Sequence, residues 1–306
     1  MYTIQLGKTG LSVPTVAVGC MRIAKMNEKE ADAFVRTALE NGANFFDHAD
    51  IYGGGKSESV FGKAIAGYDR DKILIQTKCG IVPGNVKTFD FTCQHIIESV
   101  NGSLQRLGTD YVDVLLLHRP DALMEPEEVA KAFDTLKAAG KVRHFGVSNQ
   151  NPYQMMLLQK YMDMPLCANQ LQFGIMHAPM VQSGFNVNMY NDFATNRDGG
   201  VLDFCRLHDI TIQPWSPMQY GFFEGCFVDN DKFPRLNEVL ARLADKYGVS
   251  KTTIAIAWIL RHPAKMQPIT GTTNLTRLVD CLQAAQITLT REEWYEIYQT
   301  AGNILP

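Results

Sequence analysis

Residues 93–118 read CQHIIESVNGSLQRLGTDYVDVLLLH, and the order of the two halves decides the fold. The first half spaces its apolar residues three and four apart and closes on Gly108, the pattern of an amphipathic helix ending on a glycine. The second half, YVDVLLL at 111–117, is a nearly continuous apolar run of strand length. A strand reads that way when both of its faces are covered, as in a parallel sheet clad with helices.

The same alternation extends in both directions. Runs begin at VAVGC (16), ANFF (43), ILIQT (73), RHFGV (143), LCAN (166), ITIQP (210) and MQPIT (266), which with YVDVLLL makes eight candidate strands. Helical spacing fills stretches between them, including 27–42 and 126–141. Strand followed by helix, repeated eight times, implies parallel pairing. Eight such units in about 250 residues predict a closed (β/α)8 TIM barrel rather than an open sheet. The extra length lies in YTIQLGKTGLSVP, whose GKTG turn predicts an N-terminal β-hairpin capping one barrel end. It also lies in the stretch 177–199, longer than an ordinary loop and therefore expected to be functional or partly disordered. No internal repeat or low-complexity linker interrupts the chain, so residues 1–306 are expected to form a single domain.

Composition narrows the function. The formal net charge of −3 leaves no basic field for nucleic acid or an anionic membrane surface, so a small-molecule partner is expected. The seven cysteines are scattered without a C-x-x-C pair, which predicts neither a disulfide framework nor a metal site. With no secretion signal and no apolar run of membrane-spanning length, a cytoplasmic location is expected.

Barrel active sites form at the C-terminal ends of the strands. The residues standing there are Asp47, Lys78, His118, Ser148 and Asn149, Gln170, Trp215 and Ser216, and Gly271, Thr272 and Thr273. Singly, Asp47 reads equally well as a helix cap, His118 as a satisfied core histidine and Lys78 as a snorkelling surface residue. Together, Asp47, Tyr52, Lys78 and His118 converge on one rim from three neighbouring strands. The segment DIYGGGKSE invites a phosphate-loop reading, but Asp50 stands where the first glycine of G-x-x-x-x-G-K-[ST] belongs. Gly53, Gly54 and Gly55 instead predict a tight turn, with Ser57 as N-cap and Glu58 in the first turn of the following helix.

With these residues the chain resembles the aldo-keto reductase superfamily over nearly its full length, on the branch similar to bacterial reductases and potassium-channel β subunits. The matching motifs are FFDHADIYGGGKSE, IQTKCG, LLLHRPD, GVSN and WSP. The resemblance implies hydride transfer from NADPH to an aldehyde or ketone, with Tyr52 as proton donor, Lys78 as the cation that makes the phenol acidic, Asp47 holding Lys78, and His118 hydrogen-bonding the substrate oxygen. A free phenol with a pKa near 10 needs such a neighbour to give up its proton at neutral pH. The resemblance further implies that Ser148, Asn149 and Gln170 meet the nicotinamide carboxamide, that Trp215 stacks on its ring, and that Ser216, Pro217 and Met218 line the pyrophosphate. Gly271, Thr272 and Thr273 open onto a helix suited to phosphate, Arg277 would clamp a 2′-phosphate, and Asp280 would meet the adenine, so NADP(H) is favoured over NAD. Some family members carry Lys where this chain has Gly271 and Asn where it has Cys281. Substrate contacts are expected from Met21, Ile23, Gln219, Tyr220, Phe222, Phe223 and the 177–199 stretch, a largely apolar set that suits a carbonyl with a hydrophobic body. Two other functions compete: a cofactor-binding regulatory subunit with weak or no turnover, and a Schiff-base lyase with Lys78 as nucleophile, which an adjacent Asp47 disfavours. Oligomeric state leaves no mark in the sequence.

Overall fold

The computed structural model describes residues 2–306. Its main sheet holds eight strands, Ala17–Gly19, Phe45–Asp47, Leu74–Cys79, Val112–His118, Val142–Ser148, Ala168–Gln172, Thr211–Trp215 and Ile269–Thr270. Each overlaps one of the eight runs read from sequence. Every neighbouring pair is parallel, and the eighth strand returns to pair with the first, Ile269 opposite Ala17. Across the seam between the seventh and eighth strands the Gln267 amide N–H donates to the Ile212 carbonyl at 3.0 Å. The sheet therefore wraps into the expected (β/α)8 barrel.

Strand alternation sorts side chains into two cores. On the third strand Ile75 and Cys79 face outward, joining Leu115 and Leu117 of the fourth strand against Ile96, Val100, Leu104 and Leu107 of the helix Cys93–Leu107. Leu74 of the same strand faces inward, with Phe45, Val114, Leu116, Ala168 and Ile269. The N-terminal hairpin, Thr3–Gln5 paired with Ser12–Pro14, closes the bottom of this inner core. Its Leu6 and Val13 are fully buried there. The turn must approach the barrel wall closely: Gly7 has φ of 53°, and a Cβ at that position would lie 2.7 Å from the Cys167 carbonyl oxygen.

Three local expectations change. The second helix spans Lys56–Ile65 with Gly55 as its N-cap at φ 86°, so Ser57 sits inside the first turn, where its hydroxyl donates to the Cys20 carbonyl instead of capping. The glycine turn itself stands as expected, with Gly53, Gly54 and Gly55 all at positive φ. The 177–199 stretch contains a helix, Pro179–Phe185, and a short 3-10 turn, Asp192–Ala194. Finally, two small hairpins stand over the C-terminal rim that the sequence did not signal: Ile81–Val82 with Thr88–Phe89, and Gln219–Tyr220 with Gly225–Cys226.

Candidate active site

The inward phase of the third strand continues from Leu74 through Gln76 to Lys78, so the interior turns from apolar to polar toward the C-terminal rim. Lys78 is fully buried and donates to Asp47 Oδ2 at 2.9 Å, to the His48 carbonyl at 2.6 Å and to Tyr52 Oη at 3.1 Å. All three protons of the ammonium are thus used. The other Asp47 oxygen accepts from Gln76 Nε2 at 2.6 Å and from Gln170 Nε2 at 3.0 Å. Behind Gln76 a file of buried amides descends the barrel axis. Gln76 and Gln213 exchange hydrogen bonds, Gln213 donates to Gln267 Oε1 at 2.9 Å, and Gln267 donates to the Pro14 carbonyl of the hairpin at 2.7 Å.

The electrostatics follow from this packing. Burial opposes the charge on Lys78, but Asp47 and Tyr52 outweigh it and its pKa is raised. Burial likewise pushes the Tyr52 phenol above its ordinary value of 10.0, more strongly than Lys78 pulls it down. The expected acidification by Lys78 is therefore present as one contribution but does not prevail in the protein alone. His118 is driven well below 6.5 by burial and then by Lys78, Arg119 and Lys87, which leaves its imidazole neutral at working pH. Its ring meets that of Tyr52 edge-on at 6.0 Å, and its Nδ1 has no partner.

Tyr52, Asp47 and His118 line a cavity of about 850 Å³ on the C-terminal rim, within the usual range for a small-molecule site. The same cavity is lined by Ser148, Asn149, Gln170, Trp215, Ser216, Pro217, Met218, Gly271, Thr272, Thr273 and Arg277, and by Met21, Gln219, Phe222 and Phe223. Three residues expected to touch cofactor or substrate fall outside it. Ile23 is buried in the outer core at 1% exposure because the 3-10 turn Ile23–Lys25 rotates it inward. Tyr220 packs edge-on against Phe233 and does not face the cavity. Asp280 lies in an adjoining groove beyond Arg277, while Cys281 reaches the cavity itself. Nothing from 177–199 lines the cavity either. Trp215 faces it, but its indole stacks on Phe223 at 5.9 Å and lies under the Arg119 guanidinium at 5.3 Å, with its N–H donated to Asn149 Oδ1.

Several lining residues had no sequence signal of their own: Arg22, which donates to the Gly271 carbonyl; Lys87 and Phe89, on the first rim hairpin; and Arg119, which follows His118. The charged residues lining the cavity are four cations, Arg22, Lys87, Arg119 and Arg277, and one carboxylate, Asp47. Three residues directly after barrel strands, Arg119, Asn149 and Ser216, hold left-handed φ of 77°, 57° and 50°. Side chains pay for such a conformation in strain, which concentrates at functional rims. Thr270 Oγ1, at the end of the eighth strand, is buried without a partner beside this lining. A cation-rich cavity with an unpaired hydroxyl and strained rim backbone fits an anionic dinucleotide. Among the described residues no group of His, Cys, Asp and Glu side chains could hold a metal ion.

Comparison with known proteins points the same way. A profile described as the Aldo/keto reductase family matches residues 15–301. A 6-dehydroglucose reductase of Agrobacterium fabrum is 37% identical over 305 residues, covering 95% of each chain. An oxidoreductase of Escherichia coli, YdhF, is 35% identical, covering 90% of this chain and 89% of its own. The crystal structure of a thermostable aldo-keto reductase bound to the inhibitor epalrestat superposes with a TM-score of 0.80 at 25% identity, covering 98% of this chain and all of the other.

Proposed function

This chain belongs to the aldo/keto reductase family of oxidoreductases, and from that premise we propose that it is an NADPH-dependent reductase of aldehydes or ketones with Tyr52 as general acid, the whole chain acting as one barrel domain. The observation that carries the proposal is the Tyr52 hydroxyl standing 3.1 Å from a fully buried, charge-paired lysine on the wall of the cavity. Bound NADPH supplies the hydride. Everything else falls to this chain's side chains.

Tyr52 gives its phenolic proton to the carbonyl oxygen as negative charge grows there. Lys78, held charged by Asp47, stabilises the phenolate left behind, an electrostatic contribution strengthened by the absence of competing water around a buried ammonium. His118, neutral, donates one ring N–H to the same oxygen, so the oxygen sits between two donors. A raised phenol pKa keeps Tyr52 protonated across the neutral range. The rate of reduction should therefore hold steady through neutrality and fall only as pH climbs beyond the ordinary phenol value of 10.0.

Ser148, Asn149 and Gln170 are the candidates for the carboxamide, Trp215 for the ring, and Ser216, Pro217 and Met218 for the pyrophosphate. Gln170 already gives its amide protons to Asp47 and Gln213, so it meets the carboxamide through its oxygen. Gly271, Thr272 and Thr273 lead into the helix Leu275–Gln283, whose N-terminus favours phosphate, and Arg277 lies in its first turn. Arg277 favours the phosphorylated cofactor, and Asp280, in the adjoining groove, is the candidate for the adenine end. The reading as a small-carbonyl reductase is supported by the Agrobacterium relative, a reductase of 6-dehydroglucose by name.

The direct test mixes the protein with NADPH and a panel of aldehydes and ketones and follows loss of the reduced-nicotinamide absorbance. Turnover that disappears in Tyr52→Phe supports the reading. NADPH binding without oxidation for any member of the panel favours the regulatory-subunit alternative. The lyase alternative conflicts with the raised Lys78 pKa, since a Schiff-base nucleophile needs a neutral amine.

A further inference from the structure

We propose that the substrate of this site bears an anionic group, a carboxylate or sulfonate, set beyond its carbonyl and held by Arg119 and Lys87. The inference deepens the carbonyl-reductase reading and rests on it. The four cations of the cavity divide into two pairs by their surroundings. Arg22 is tied to the Gly271 carbonyl, and Arg277 lies on the helix Leu275–Gln283, both at the end assigned to cofactor phosphates. Arg119 and Lys87 lie at the other end, where both act on the His118 ring.

Neither of this second pair has an ion-pair partner among the described residues. Some cations elsewhere in the chain are matched, among them Lys63 with Glu28, Arg143 with Asp113 and Arg242 with Glu296. Arg119 is half-buried and fixed, its guanidinium 5.3 Å from the centre of the Trp215 ring and its backbone at φ 77°. Holding an arginine in that backbone conformation is costly, and the cost is incurred near the proton donor, where burial works against the guanidinium's charge. Lys87 stands in the connection of the first rim hairpin, just before the strand Thr88–Phe89, with its ammonium 5.7 Å from the Phe89 ring centre. The same cavity is lined by the apolar side chains of Met21, Ile81, Phe89, Trp215 and Phe222. A short apolar or aromatic body ending in a charge fits this combination of carbonyl donor, apolar lining and unmatched cations.

The charge also bears on the chemistry. His118 and Tyr52 work in a field made positive by Lys78, Arg119 and Lys87. An anion seated on Arg119 and Lys87 positions the carbonyl through a contact remote from the reacting atoms, and Lys78, paired with Asp47, keeps the charge that stabilises the developing oxyanion.

The test compares substrates that differ only in charge: para-formylbenzoate, para-formylbenzenesulfonate and the neutral methyl ester of the first. In the wild-type protein kcat/KM for the two anions should exceed that for the ester by about tenfold or more, the scale of one charge-assisted hydrogen bond. In Arg119→Gln/Lys87→Gln the ratio should collapse toward one, and Arg119→Lys should restore part of it. Equal kcat/KM for acid and ester in the wild type overturns the proposal, as does a ratio that survives in the double variant. If the double variant instead loses NADPH affinity with the ratio unmoved, the two cations belong to the cofactor and the proposal is wrong. A binding arm separates this failure from failure of the reductase reading. Intrinsic tryptophan fluorescence of the NADP-loaded protein is titrated with para-hydroxymethylbenzoate and with its methyl ester. Saturable quenching by the acid alone, lost in the double variant, supports the anion site even where no aldehyde turns over; no discrimination between acid and ester sinks it.

Discussion

Two buried carboxylates in this barrel have opposite fates. Asp113 points outward near the bottom of the fourth strand and is closed on every side. Its oxygens accept from the Ile75 amide at 2.9 Å, from Arg70 at 3.0 Å and from Arg143 at 3.1 Å, and the two guanidiniums sandwich the Tyr111 ring at 4.0 and 3.9 Å. Asp47 points inward at the top and is just as fully bonded, yet the groups it supports are not. Tyr52 Oη accepts from Lys78 and keeps its own proton free for the cavity, and His118 Nδ1 has no partner at all. Burial and charge pairing are therefore shared by both regions. What distinguishes the upper one is a chain of support that ends on polar groups with unfinished valences, carried by side chains that line the cavity.

That difference can be broken most severely at its open end. Tyr52→Phe removes the donor and leaves the lysine pair intact, so kcat for carbonyl reduction should fall by about 10³-fold or more, while NADPH affinity, read by fluorescence titration, stays within a few-fold. The closed site should respond in stability instead. Asp113→Ala strands two arginines and a backbone N–H, a loss of about 3 kcal/mol in denaturant unfolding, with kcat close to wild type. If Asp113→Ala proves as damaging to turnover as to stability, the contrast between the regions is wrong.

Gln76→Met tests the support itself. It strips Asp47 of its shortest donor and leaves Gln213 short of a partner, so kcat should drop about tenfold with a stability loss of about 1–3 kcal/mol. A smaller effect sharpens the picture at Asp50, whose carboxyl is pushed up to about 7 by burial and by Glu58, with one oxygen unpaired. A carboxyl raised in the folded state stabilises the fold only while protonated. That stability is complete below the ordinary value of 3.8 and is lost as pH rises toward 7. Asp50→Asn should thus stabilise the protein by about 1–2 kcal/mol at pH 8, and the gain should shrink to nothing as pH falls toward 4. A gain independent of pH would remove the titration argument.

Much of this was legible in the chain. Short, nearly continuous apolar runs located all eight strands, because a parallel barrel clad by helices leaves them few polar positions. The four residues Asp47, Tyr52, Lys78 and His118 were legible as well, since the strand-end rule and the motif spacing select the same positions. The glutamine file was present in the same lines and went unread. Gln76 in ILIQTK shares the inward phase of Lys78, and Gln213 in ITIQPW shares that of Trp215, so two polar residues inside otherwise apolar strands marked the barrel axis. Lys87 could not be read, because the strands of GIVPGNVKTFD are two residues each and carry no period. Ile23 and Tyr220 turn away from the cavity for a common reason: each follows a rim position by a few residues, and local backbone, not barrel-strand phase, decides where it points.

The hydrogen bond from Gln267 to Pro14 has a reach out of proportion to its size. It joins the plug beneath the barrel to the same column of amides that ends on Asp47, so basement and workshop share one post. Changes to the hairpin Thr3–Pro14, at the opposite end of the barrel from the catalytic rim, would be felt as a tilt of the carboxylate that steadies Lys78. An alteration at the foot of the chain would then surface as a fault in proton delivery rather than in folding.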